Sequence, residues 1–198
     1  MKQKAHGIFF STFCILLILV SCAQKVRFED QVMDMSEKVT FLQIEYSIES
    51  VEISEKLPSV YLQENKDNLK MELEALEIAF ESDTLQLEKG NSYVSVDVSI
   101  ENLSNGIQTI YLSNVSLLSQ DNPLTVNDWC ILERAQNKYG EHDYGMIQLL
   151  AGELQTFHLL FIAEDRWLEQ SIYLQINPEG VNREDAKSVD CFCYYNVK

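Results

Sequence analysis

Apolar and polar residues alternate along much of this chain with a period of two. The clearest run is Tyr93-Val94-Ser95-Val96-Asp97-Val98-Ser99-Ile100. Successive side chains on a strand point to opposite faces. Val94, Val96, Val98 and Ile100 therefore share a packed face, and Ser95, Asp97 and Ser99 a wet one, which is the antiparallel pattern. Glu101 and Asn102 extend the strand to a turn at Ser104-Asn105-Gly106. The same period predicts a strand over 41–53, carried by Phe41, Ile44, Tyr46, Ile48, Val51 and Ile53, with a bulge where the alternation slips after Ile48. Lys56-Leu57-Pro58-Ser59 stops it. Ile107, Thr109 and Tyr111 begin a returning strand, and Val115, Leu117 and Leu118 another. Further on, Leu154, Thr156, His158, Leu160 and Ile162 alternate with Phe157, Leu159 and Phe161. Bulk on both faces makes that strand central. Ile172, Leu174 and Ile176 form the last regular strand, with one more expected within 189–195.

Elsewhere the pattern is weaker. Leu62, Leu69, Met71, Leu73 and Leu76 fit either period, and Asn65-Lys66-Asp67-Asn68 is a turn signal. This stretch reads as an irregular connection with a short helix or a hairpin. Leu76, Ile78 and Phe80 suggest a short strand, and Leu85 with Leu87 a second. Residues 124–144 read as a long irregular segment. Seven or more short strands separated by turns predict an all-β, immunoglobulin-like antiparallel β-sandwich.

The N-terminus departs from this pattern. Lys2 and Lys4 precede an apolar run from Ile8 to Val20, and Leu19-Val20-Ser21-Cys22 closes it. The run is short of the roughly twenty apolar residues that a spanning helix needs. Its order is that of a secretory leader. Leu19, Val20, Ser21 and Cys22 closely resemble the lipobox of bacterial lipoproteins. That resemblance implies cleavage before Cys22 and a diacylglycerol on its thiol. It implies a protein held by lipid at the extracytoplasmic face of the cell membrane. Ala23, where Asp would retain the protein at an inner membrane, permits an outer-membrane destination. The expected organisation is a signal peptide over 1–21, a charged tether over 22–38, and a sandwich domain with a C-terminal extension over 39–198.

Charge narrows the partners. Loss of Lys2 and Lys4 with the leader takes the formal charge from −16 to −18. Such a surface repels nucleic acid and other polyanions. It keeps the body soluble beside a membrane. Cysteine usage is open. Cys14 leaves with the leader, and Cys130, Cys191 and Cys193 remain. An odd number leaves at least one thiol over. Buried inert thiols are the leading reading, and a disulfide from Cys130 to Cys191 or Cys193 is the alternative.

The run from Tyr93 to Asn102, the strand Ile107-Gln108-Thr109-Ile110-Tyr111-Leu112, the turn Ala151-Gly152-Glu153-Leu154 and the strand Ile172-Tyr173-Leu174-Gln175-Ile176 support a specific comparison. Together they resemble the telokin-like, immunoglobulin-like domain of many bacterial lipoproteins of unknown function. The match is good over 93–176. The long insertion between Leu57 and Leu87 and the Cys191-Phe192-Cys193 tail depart from it. The resemblance implies an extracytoplasmic binding or scaffold module and carries over no catalytic residue.

Signatures of chemistry are sparse. No Gly-x-Ser-x-Gly elbow and no Gly-rich phosphate loop occurs. His158 falls among apolar neighbours and reads as a core or edge histidine. Glu141, His142 and Asp143 form a polar loop rather than a metal site, because adjacent residues rarely all face one ion. Neither a metal nor a cofactor is expected. Trp129, Tyr139, Tyr144 and Trp167 fall in predicted loops and are the candidate ligand contacts, against the commoner role of plugging the ends of a core. The expectation is a lipid-anchored, non-catalytic module that binds a protein or envelope component, its membrane contact made through acylated Cys22. An accessory or substrate-capture subunit of an exported or transport complex is the alternative, and a metal-dependent envelope enzyme a distant third.

Overall fold

The computed structural model describes residues 32–58, 66–119, 131–132, 146–178 and 193–197. In chain order the elements are β1 (Val32–Met33), β2 (Val39–Phe41), β3 (Ile44–Ser54), α1 (Lys66–Ala75), β4 (Asn91–Asn102), β5 (Gln108–Tyr111), β6 (Val115–Ser119), β7 (Ile131–Leu132), β8 (Met146–Leu149), β9 (Leu154–Glu164), α2 (Asp165–Leu168), β10 (Ile172–Ile176) and β11 (Cys193–Asn196). One sheet runs β2-β3-β4-β9-β7 and the other β1-β11-β10-β6, with β5 and β8 as a separate pair. Every pairing is antiparallel except β1 with β11. The architecture is the all-β, antiparallel sandwich that the strand pattern predicts.

The main core lies between the sheets. Val94, Val96, Val98 and Ile100 of β4 and Phe157, Leu159 and Phe161 of β9 face Leu117 of β6, Leu174 and Ile176 of β10 and Tyr195 of β11. As expected, β9 is not an edge strand, since it pairs with β4 on one side and β7 on the other. The slip after Ile48 is also present, as a register shift between Ile48 and Ser50 opposite β4.

Several expectations need correction. The single strand over 41–53 is a hairpin. Phe41 ends β2, Ile44 begins β3, and the two-residue loop places Leu42 at φ 48 and Gln43 at φ 67. Two positive φ values in a two-residue loop suit the twist of a hairpin. Neither residue is a turn former, so the loop left no mark in the pattern. The segment read as a tether also reaches into the fold, because Val32–Met33 pairs with Tyr194–Tyr195. The C-terminal extension is integral as well, for β11 lies between β1 and β10.

The described part of the insertion between Leu57 and Leu87 folds over the outer face of the larger sheet. Its Asn65-to-Asn68 turn signal leads into α1, which starts at Lys66. The helix ends with Glu77 at φ 57, Ile78 N donating to Leu73 O at 3.0 Å and Glu77 N to Glu74 O at 3.1 Å. That is a Schellman stop with glutamate in place of glycine. The two short strands expected at 76–80 and 85–87 reduce to one bridge, Phe80 with Leu87. Leu57, Leu69, Leu73, Leu85 and Leu87 bury Tyr93, Leu160 and Ile162 in a second core. The β4 face read as wet is therefore covered at its Tyr93 end. Tyr93 donates its hydroxyl to Leu85 O at 2.7 Å, and burial raises its pKa above the usual tyrosine range.

Candidate functional site

The rest of that outer face is polar, with Ser95 and Ser99 buried and Asp97 and His158 about a third exposed. Cross-strand register lays Ser50 of β3 beside Asp97 of β4, and Asp97 beside His158 of β9. Ser50 Oγ donates to Asp97 Oδ2 at 2.8 Å, and His158 Nδ1 meets Asp97 Oδ1 at 2.6 Å. One row along, Ser99 Oγ and Thr156 Oγ1 are 2.8 Å apart. Alternation puts these groups on one face, and pairing across three strands brings them together.

His158, read as a core or edge histidine, lies on an inner strand in this polar row, with its side chain 36% exposed and that of Asp97 30%. Leu160 and Ile162 share its face but lie under the insertion, which leaves His158 at the border between covered and polar halves. Asp97 was legible as a polar-face residue. Its partner was not, because the register of β4 against β9 is set by distant turns.

The order of the groups limits the chemistry. In a serine hydrolase triad the imidazole stands between hydroxyl and carboxylate and takes the hydroxyl proton. Here the carboxylate stands in the middle. Ser50 donates its proton to the Asp97 carboxylate, and the imidazole is bonded to the other carboxylate oxygen. A carboxylate only accepts, so Nδ1 carries the hydrogen and Nε2 is the acceptor of the neutral ring. The row is a fixed array of hydroxyl, carboxylate and imidazole suited to hydrogen-bonding a polar ligand.

Of the four aromatic candidates, Trp167 is the one among the described residues. Trp167 lies in α2, half-buried, with the Arg166 guanidinium 5.0 Å from its ring centroid. Arg166 also bridges to Glu164 at 2.6 Å. Trp129, Tyr139, Tyr144, His142, Cys130, Cys191 and the motif Leu19, Val20, Ser21 and Cys22 lie outside the described residues. Cys193 is a free, buried thiol, and burial pushes its pKa up to about 12. Such a thiol is a packing group, not a nucleophile. Among the described residues no group of three or more His, Cys, Asp or Glu is placed to hold a metal ion. None of their helices is long and apolar enough to cross a membrane. A shallow, open depression gathers Glu55, Glu81, Glu88 and Lys89 beside the insertion. Glu81 there is engaged by Thr84 Oγ1 at 2.6 Å.

No family model matches this chain, and no curated protein matches it. Solved structures resemble it in outline. The yjhA protein from Bacillus subtilis aligns over 82% of this chain and 97% of its own, at 12% identity and a TM-score of 0.46. An uncharacterized β-sandwich protein from Clostridium difficile 630 aligns over 88% of this chain and 99% of its own, at 13% identity and a TM-score of 0.47. The ycdA protein of Bacillus subtilis strain 168, described as a candidate lipoprotein, aligns over 82% of this chain and 38% of its own, at 12% identity and a TM-score of 0.44.

Proposed function

We propose that this chain is an extracytoplasmic lipoprotein, acylated on Cys22, whose sandwich is a non-catalytic binding module. The anchor half of the reading is supported by Leu19-Val20-Ser21-Cys22 closing an apolar leader. Two acyl chains hold a protein stably at a bilayer where one does not. The observation that carries the binding half is the row of Ser50, Asp97 and His158. Its groups are pre-positioned by three paired strands, so a ligand meets them with little ordering cost. The partner proposed is a protein or another uncharged or basic component of the envelope, given the formal charge of −18 that remains once Lys2 and Lys4 leave with the leader.

Two measurements test it. Labelled palmitate should enter the parent chain and be absent from Cys22→Ala. Lipidated protein drawn from detergent-solubilised membranes should bring a partner that Asp97→Asn with His158→Gln does not. A soluble, unlabelled parent chain overturns the anchor, and equal recovery by parent and double variant overturns the site.

A further inference from the structure

One end of the sandwich gathers exposed aliphatic side chains from three loops. Leu42, 67% exposed, sits at the tip of the β2–β3 hairpin, and Leu103 and Ile107, at 48% and 62%, flank the turn after β4. Leu150 and Leu154, at 44% and 61%, flank the turn before β9. The loops are bonded to one another. Leu103 N donates to Gln43 O at 2.8 Å, Asn102 N to Glu153 O at 2.9 Å and Gly152 N to Asn102 O at 2.8 Å. Asn102 Nδ2 adds bonds to Gly106 O at 2.7 Å and Leu150 O at 3.0 Å. Five residues scattered in sequence thus share one end on a stiff frame. Single exposed leucines are ordinary, but a cluster marks an interaction surface.

The path of the chain gives the direction of the N-terminal strand relative to this end. Asp165 N donates to Gly90 O at 3.0 Å, which ties α2 to the opposite end of β4. Ile172 follows α2 closely, so β10 starts at that opposite end and Ile176 lies toward Asn102. Cys193 of β11 stands opposite Ile176, and Val32 of β1 stands beside Tyr194 in parallel register. β1 therefore runs away from the Asn102 end, with Val32 its residue nearer that end. Cys22 lies ten residues earlier. A stretched connection of that length reaches about 35 Å. An acyl anchor at Cys22 would therefore leave the aliphatic end within reach of the bilayer.

We propose that this end of the sandwich docks on the lipid surface, with its aliphatic side chains entering the interfacial layer. The proposal rests on acylation of Cys22. The anchor keeps this end at high effective concentration near the bilayer, so a small apolar contact suffices. Lys38 pairs with Glu45 at 2.6 Å, while Glu101, beside Leu154 in the register, and Glu153 in the adjoining turn put carboxylates at the rim. Zwitterionic headgroups are therefore the favoured surface, and anionic ones are repelled.

Quenching by brominated lipid tests this on the full acylated chain in phosphatidylcholine vesicles. Leu103→Trp and, separately, Leu42→Trp should be quenched at least twofold more than Met71→Trp, each corrected for the parent chain. Met71 is the distal control, 67% exposed on α1. Replacing phosphatidylcholine by phosphatidylglycerol should reduce the quenching. Equal quenching at all three positions, with palmitate label intact on Cys22, overturns docking alone. Absence of the label overturns the anchor and the docking with it. Crosslinking between copies through this end, without quenching, hands the surface to a second copy and overturns the proposal. A rise in phosphatidylglycerol overturns the headgroup preference.

Discussion

The side-chain amide of Asn102 donates to the main-chain carbonyl of Leu149 at 3.0 Å, from a position with no solvent exposure. The same nitrogen serves Gly106 O and Leu150 O, while Oδ1 accepts from Ser104 N at 2.9 Å and Ser104 Oγ at 2.7 Å. One side chain thus satisfies the polar groups of two turns at the loop end. Asn102→Leu should cost about 3 kcal/mol, because buried carbonyls and an amide lose their partner. Urea unfolding checks the value. An unchanged midpoint would mean the turns hold without this amide.

His158 and Asp97 are about a third exposed, so their pair contributes little to stability. His158→Gln should shift unfolding by less than about 1 kcal/mol. Its effect belongs in partner capture from solubilised membranes, expected to fall at least tenfold. A large stability loss with capture retained would make the row structural.

Leu73 has no exposure and joins α1 to the outer face of the larger sheet. Leu73→Ala should destabilise by about 2–5 kcal/mol. Hydrogen exchange should speed up first over Lys66–Ala75, ahead of β4 and β9. Uniform acceleration would show that the insertion and the sandwich unfold as one unit.

Burial raises Cys193 from 9.0 to about 12 and Tyr46 from 10.0 to about 12. Each group keeps its proton in the folded state at pH values where the unfolded chain has lost it. The unfolded state then binds fewer protons, and stability falls as pH rises from about 9 to about 12. Thermal midpoints across that window should drop more steeply for the parent than for Cys193→Ala. Parallel slopes would remove Cys193 from the alkaline transition.

Gln43 occupies the left-handed region at φ 67, where a side chain is strained. Gln43→Gly should stabilise the hairpin by roughly 1 kcal/mol. The denaturant midpoint should rise, with lipid quenching at Leu103→Trp unaltered. A fall in the midpoint would show that the side chain makes a compensating contact.

The period-two runs of β3, β4, β9 and β10 were legible because burial on a sheet face imposes alternation on the residues themselves. The loop of β2–β3 and the end of α1 were not, since Leu42, Gln43 and Glu77 adopt positive φ without turn-forming side chains. Tyr93-to-Ile100 announced its valine face correctly. Its other face was misread along part of its length, because the cover comes from a helix some twenty residues upstream. Asp97 and His158 were each placed on the proper side of their strands, yet their meeting depends on register.

By itself the sequence determined the period-two runs of β3, β4, β9 and β10, the order Leu19-Val20-Ser21-Cys22 and the net negative charge, because each is written in local order or in composition. Only the tertiary structure decided which strands are neighbours, and hence the Ser50–Asp97–His158 row and the aliphatic end around Asn102. Both arise from pairing and loop closure between distant segments, whose energetics depend on the whole fold rather than on any window of residues.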